Sequence, residues 1–143
     1  MRKGTLMAAL SQNHKQEAWL SPYMTVVDVD VAIEFYKKAF QFSVLEIKCA
    51  EDGKGIHAEM AYKNQLILCG KEGACSLRSP RSSGVESPIT LCVLCDDVDT
   101  FYTMAVSQGA QSISPPDDMD WGYRMCRLQD LDHYTWCFMT PVF

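Results

Sequence analysis

Apolar and polar residues along the chain follow two different spacings, and the change from one to the other marks the predicted elements. Residues 22–27 are rich in β-branched and aromatic side chains, which predicts a first strand. From Ala32 to Phe40 apolar residues recur at helical spacing, after Asp28 and Asp30, whose side chains suit a helix N-cap. Three short strands are predicted next, at 43–49, 56–62 and 65–69.

The same order of elements begins again in the second half of the chain. A strand is predicted at 89–95, and the Asp97-Val98-Asp99 segment after it aligns with Asp28-Val29-Asp30 at an offset of 69 residues. Further strands are predicted at 110–113, 123–128 and 134–139, with a break at Pro115-Pro116. This repeat predicts an α+β fold in which two βαβββ modules form a cup-shaped mixed β-sheet.

The repeat also predicts the domain organisation. Residues 1–20 show no sustained period and are interpreted as an N-terminal extension, whereas 21–143 form a single domain. Within that domain, module 1 covers about 21–70, a linker rich in Gly, Pro and Ser covers about 71–88, and module 2 covers about 89–140. Each module alone has a half-exposed sheet, so we expect the two to pack their concave faces into one shared cup.

Composition narrows the class of protein. The chain has 143 residues, of which 48% are hydrophobic, and this suits one globular domain with a buried core. A net charge of −5 argues against nucleic acid and anionic membrane surfaces as partners. Seven cysteines, an odd number, lie mostly inside strand-like runs, which favours reduced thiols in a cytoplasmic protein over a disulfide framework.

Several motifs in a fixed order resemble a known family. They are Pro22-Tyr23-Met24, the helix Ala32-Ile33-Glu34-Phe35-Tyr36, His57-Ala58-Glu59-Met60, Asp97-Val98-Asp99, Trp121-Gly122-Tyr123-Arg124 and Asp130-Leu131-Asp132-His133-Tyr134. Through them, residues from about 21 to 140 resemble the glyoxalase/bleomycin-resistance branch of the vicinal oxygen chelate superfamily. This resemblance supports the fold and leaves the reaction open, because one fold serves many chemistries.

The resemblance implies a test for a metal ion. Metal-dependent members bind a divalent ion through one His or Glu from the first and last strands of each module. In this sequence those positions fall on Ser21, Leu68, Thr90 and Cys137. The set offers a single thiolate-capable group in place of imidazole and carboxylate ligands, so we predict no metal ion and no other cofactor.

Other residues are weaker candidates for chemistry. His57 and Glu59 share one face of a strand, where they could perform acid/base chemistry or bind a metal; the alternative is that both face solvent. Trp121 and Arg124 could hold a flat or acidic ligand, or Arg124 could pair with Asp130 or Asp132. Cys137 could be a nucleophile, although an inert buried thiol is the simpler interpretation.

These observations favour a small-molecule-binding protein without a metal ion, comparable to the drug-sequestering members of the family. Its pocket is predicted to be lined by Ser21, Tyr23, Leu68, Thr90, Cys92 and Cys137, with Trp121 and Arg124 at the rim. Two alternatives stay open: a metal-dependent lyase, isomerase or transferase with unusual ligands such as His57 and Glu59, and a scaffold that contacts a protein partner. Whether the protein is an enzyme is left open, and the resemblance implies a homodimer.

Overall fold

A computed structural model describes residues 19–73 and 77–142, so residues 1–18 of the predicted extension lie outside the described chain. The elements are β1 (Tyr23–Val26), α1 (Val29–Ala39), β2 (Ser43–Cys49), β3 (Gly55–Tyr62), β4 (Gln65–Lys71), α2 (Pro80–Ser83), β5 (Thr90–Leu94), α3 (Val98–Ser107), β6 (Gln111–Asp118), β7 (Tyr123–Gln129) and β8 (Thr135–Pro141). The predicted βαβββ order thus occurs twice, and the short helix α2 lies between the two repeats.

The strands form two four-stranded mixed sheets, in the orders β1-β4-β3-β2 and β5-β8-β7-β6. In the first sheet the parallel pair β1 and β4 sets Tyr23 opposite Leu68. In the second sheet the parallel pair β5 and β8 sets Cys92 opposite Cys137, at the same offset of 69 residues. The predicted α+β class with two βαβββ modules is therefore confirmed, and the repeat extends to the register of the strands.

Both long helices begin where aspartate caps were predicted. The Asp28 carboxylate accepts a hydrogen bond from the Val31 amide at 3.0 Å, and the Asp97 carboxylate accepts one from the Asp99 amide at 3.1 Å. These bonds satisfy amide groups that have no partner inside the helix. The apolar stripe of each helix, such as Ala32, Tyr36 and Ala39 of α1, packs into the core.

One part of the second module departs from the prediction. Strand β6 continues through Pro115 and Pro116 to Asp118, where a break was expected. The strand lies at the edge of its sheet, and its register with β7 shifts between Ser112 and Ser114 and again before Asp117. An edge strand with such irregularities tolerates prolines, because the missing amide hydrogens would not have joined the ladder.

The helix-bearing faces of the two modules meet in one aromatic core. Phe40 directly follows α1, and its ring lies 5.4 Å from Trp136 and 4.8 Å from Phe138, both on β8, measured between ring centroids. The Tyr36 hydroxyl crosses the same boundary and donates to Asp130 Oδ2 at 2.6 Å. Within this chain the modules thus join through their helix sides, and the opposite sides of both sheets stay outside the shared core.

Turns at the two ends of this boundary make reciprocal contacts. The turn between β7 and β8 reaches the first module, where Asp132 Oδ1 accepts from the Val27 amide at 2.9 Å. The turn between β3 and β4 reaches the second module, where Lys63 Nζ lies 2.7 Å from Asp96 Oδ1. Val27 and Asp96 are equivalent positions of the repeat, so an approximate twofold relation links the modules.

Candidate functional site

The alternation of side chains along each strand decides which residues can form a site. On the first sheet, Met24, Ala58, Met60 and Cys69 point to the helix side and belong to the core. The residues that alternate with these point to the other side of the sheet, which carries no helix. We call that side the first open face. Its central row runs across all four strands in register: Tyr23, Leu68, Glu59 and Glu46.

Tyr23 and His57 are neighbours on the first open face. The Tyr23 hydroxyl oxygen lies 3.5 Å from His57 Nδ1, and their ring centroids are 5.7 Å apart. The tyrosine ring lies over Gly70, where an added Cβ would collide with the Tyr23 hydroxyl oxygen. Glycine at position 70 therefore leaves room for the Tyr23 ring, a predicted pocket residue, to lie beside His57.

Glu59 is buried, which corrects the alternative that His57 and Glu59 both face solvent. The residue is only 2% exposed, and its Oε1 atom lies 3.7 Å from His57 Nε2. Yet Glu59 Oε2 and His57 Nε2 have no hydrogen-bond partner among the described residues, and the same holds for Glu46 Oε2 and Ser21 Oγ. Buried polar atoms without partners are costly, so these atoms mark the first open face as a candidate site.

The second open face belongs to the second sheet and contains Thr90, Cys92, Leu94, Arg127 and Cys137. Cys137 is 1% exposed, whereas Cys92, its partner across the parallel strands, is exposed. Burial is the main cause that raises the pKa of the Cys137 thiol to about 12. The thiol is therefore protonated at neutral pH, and this disfavours the predicted alternative that Cys137 acts as a nucleophile.

Arg124 does not join either open face. It has the same parity on β7 as the core residues Cys126 and Leu128 and points to the helix side. Its Nε atom lies 3.0 Å from Asp99 Oδ2, and its Nη1 atom lies 3.2 Å from Asp118 Oδ1. These ion pairs raise its pKa, so the guanidinium is engaged by α3 and β6 and not by Asp130 or Asp132.

Trp121 is also separate from the predicted pocket. It lies in the turn between β6 and β7 and is 63% exposed. The predicted rim of Trp121 and Arg124 is therefore not assembled beside Tyr23, Leu68 or Cys137 within this chain. The arginine that does share a face with Cys137 is Arg127, its register partner on β7.

Two residues of the open faces were missed from the sequence. Glu46 lies on the first open face because a register shift between Val44 and Glu46 reverses the parity of β2. No feature of the sequence marks that shift. Arg127 could have been found, because it alternates with Cys126 and Leu128 in a predicted strand that neighbours Cys137.

The four positions that the resemblance assigns to a metal do not fit one. Leu68 has no donor atom, Ser21 and Thr90 offer neutral hydroxyl groups, and Cys137 alone offers a sulfur ligand. Divalent ions of this type require imidazole, carboxylate or thiolate ligands. Across 19–73 and 77–142, no group of three or more His, Cys, Asp or Glu side chains has a metal-binding arrangement.

A groove beside the second sheet contains one of the predicted pocket residues. Its volume is about 610 Å³, and Cys92 and Leu94 of β5 form one wall. The other wall comes from the first module, at Tyr62, Asn64 and Gln65. The groove is thus built at the boundary between the repeats, where pockets commonly occur.

None of the described helices has the length and apolar character needed to span a bilayer.

Comparison with known proteins agrees with this architecture. The model of the glyoxalase/bleomycin resistance protein/dioxygenase superfamily matches residues 18–138. An uncharacterized protein of Mycobacterium bovis is 32% identical over 130 residues, covering 88% of this chain and 85% of that protein. An uncharacterized protein of Mycobacterium tuberculosis is also 32% identical over 130 residues, covering 88% of this chain and 76% of that protein.

Solved structures show the same fold. TioX from Micromonospora sp. ML1 superposes with a TM-score of 0.72 at 23% identity, covering 85% of this chain and 97% of TioX. A glyoxalase-related enzyme from Fulvimarina pelagi gives a TM-score of 0.67 at 13% identity, covering 85% of this chain and 87% of that enzyme. With the family match over most of its length, the chain belongs to the glyoxalase/bleomycin resistance protein/dioxygenase superfamily.

Proposed function

We propose that this protein binds a small organic molecule on its open sheet faces and does so without a metal ion. The observation that carries the proposal is the first open face, where Tyr23 and Leu68 offer apolar surface beside buried polar atoms that lack partners. A bound molecule would cover the apolar surface and satisfy those atoms together. The unsuitable donor set of Ser21, Leu68, Thr90 and Cys137 supports a metal-free mode of binding.

The proposal includes a setting for the protein. The buried thiols of Cys69, Cys95 and Cys126 support a reducing compartment, and we place the protein in the cytoplasm. The two open faces support a homodimer, in which a second copy would add a wall to each ligand site. The remaining predicted pocket residues, Thr90 and Cys92, would contribute through the second open face.

Native mass spectrometry of gently purified protein tests this proposal. We expect a retained organic molecule and no stoichiometric Zn, Ni, Fe or Mn. The Leu68→Arg variant should lose the molecule, because the long side chain fills the centre of the first open face. The matched control is Met104→Arg, since Met104 is 43% exposed on α3, away from that face.

The metal-dependent alternative predicts a different spectrum. One metal ion per chain, lost when Ser21, Leu68, Thr90, Cys137 or His57 is replaced, would contradict metal-free binding and favour a glyoxalase-type enzyme. A retained protein partner with no small molecule would instead favour an interaction scaffold.

A further inference from the structure

We infer that the first open face recognises a cationic group, an ammonium or amidinium carried by an apolar body. This inference rests on the proposed small-molecule function and specifies its ligand class. It starts from two glutamates that face each other across neighbouring strands, Glu46 on β2 and Glu59 on β3. Like charges in such a cross-strand pair destabilise a sheet unless a cation lies between them.

The two carboxylates are not solvated surface groups. Glu59 is 2% exposed, and within the described ranges its Oε2 atom has no hydrogen-bond partner. Glu46 is half-buried, and its Oε2 atom is also without a partner. Ionised carboxylates accept hydrogen bonds strongly, so an N–H cation is the group that would satisfy both oxygens and offset their charge.

The described part of the chain, 19–73 and 77–142, does not provide that cation. Lys48 is the register partner of His57 and shares the face, but its side chain is exposed and makes no ion pair with Glu46 or Glu59. No lysine or arginine of the described ranges 19–73 and 77–142 lies within ion-pair distance of either carboxylate. Only His57 approaches Glu59, at 3.7 Å.

The rest of the face defines the body of the ligand. Leu68 lies between Tyr23 and Glu59 in the central row, so apolar surface adjoins the carboxylates directly. Tyr23 is 56% exposed, and its ring can stack on a flat group or interact with a cation through its face. The geometry fits an aromatic or aliphatic amine whose charged end reaches Glu59 and whose body lies on Leu68 and Tyr23.

Three compounds with the same indole body separate the charge from the body: tryptamine, tryptophol and indole-3-acetate. Isothermal titration calorimetry should show tryptamine binding at least about tenfold more tightly than tryptophol, as expected for a charged hydrogen bond. Measurements belong at about 0.15 M salt, because the net charge of −5 attracts any cation at low ionic strength.

Matched variants assign that preference to the site. Glu59→Gln keeps the shape of the side chain and should remove the preference for tryptamine over tryptophol. Glu34→Gln changes the net charge equally. Glu34 lies on the exposed side of α1, where it pairs with Lys37 and Lys38, so this variant should keep the preference for tryptamine. Without ligand, Glu59→Gln should also raise Tm by a few degrees, since it removes a buried charge without a full complement of partners.

Each remaining outcome overturns the inference. Tryptophol or indole-3-acetate binding as tightly as tryptamine would show that the face does not select a cation, while small-molecule binding would stand. Retained preference in Glu59→Gln, or a lower Tm with unchanged preference, would assign Glu59 a structural role. If none of the three compounds binds, the inference fails, and the native mass spectrum still decides the proposed function independently.

Discussion

At the scale of single residues, two buried carboxylates behave in opposite ways. Asp130 is 4% exposed and fully satisfied. Its donors are the Tyr36 hydroxyl, the Trp136 indole N–H and the amides of Asp132 and Tyr134. Glu59 is as deeply buried but has an oxygen without any donor. A complete set of donors indicates a structural role, whereas the incomplete set at Glu59 is the observation on which the proposed ligand site rests.

Asp132 gives a prediction on the pH dependence of stability. Burial is the main cause that raises its pKa to about 6, and the nearby Asp130 adds to the shift. The folded state thus binds the proton more tightly than the unfolded state, so stability falls as pH rises from about 4 to 6. In Asp132→Asn, which can still accept the Val27 amide bond, this loss should disappear.

Urea denaturation at pH 4.5 and pH 7 measures the effect. From pH 4.5 to pH 7 the wild type should lose up to about 2 kcal/mol of unfolding free energy relative to Asp132→Asn. Asp120→Asn, at an exposed turn position, is the control and should follow the wild type. A constant difference between Asp132→Asn and wild type at both pH values would show that Asp132 does not titrate as described.

At the scale of elements, the sequence predicted most of the open faces because the repeat carries the strand register with it. The offset that aligns Asp28 with Asp97 also aligns Tyr23–Leu68 with Cys92–Cys137. Glu46 escaped prediction because a register shift in β2 depends on pairing with β3, which one strand's sequence does not encode.

Arg124 illustrates a second limit of prediction at this scale. A guanidinium near the end of a strand is compatible with ligand binding or with an ion pair, and the sequence left both interpretations open. The outcome depends on where α3 places Asp99, a contact between elements that are 25 residues apart. Periodicity predicts which face a residue lies on only when the parity of the strand is known.

Tyr134 gives a prediction on how an edge strand is protected. Its hydroxyl accepts a hydrogen bond from the Thr25 amide at 3.0 Å and donates to the Thr25 carbonyl at 2.8 Å. Thr25 is buried, and β1 lies at the edge of its sheet, so these backbone groups have no other strand beside them. In Tyr134→Phe both groups lose their partner, and unfolding should become easier by about 1–3 kcal/mol.

Tyr102→Phe is the matched control for this substitution. The Tyr102 hydroxyl donates only to the exposed hydroxyl of Ser112, at 2.7 Å, so its removal should change stability much less. Thermal unfolding of the two variants under the same conditions makes the comparison. Equal losses of Tm would contradict the prediction, because the Tyr134 hydroxyl would then contribute no more than an exposed one.

At the scale of the whole molecule, the two modules pack together through their helix sides, while the opposite side of each sheet lies outside the shared core. The aromatic core around Phe40 and Trp136 joins the helix sides, and the reciprocal contacts at Asp132 and Lys63 hold both ends of the boundary. The open faces take no part in that core, although each carries apolar side chains such as Leu68 and Leu94. In the proposed homodimer, a second copy would cover these faces.

This arrangement leads to the prediction of a homodimer that buries more than about 1,000 Å² of surface. Leu94 is 51% exposed on the second open face. It belongs to β5, an edge strand whose outer side pairs with no other described strand. Sedimentation at micromolar concentration should give a species of about twice 16.1 kDa. Leu94→Arg should shift it toward the monomer, because a charge would be buried at the contact, while Met104→Arg should not. A single species of 16.1 kDa for the wild type would contradict the dimer, and the open faces would then have to bind their ligand as half-sites of one chain.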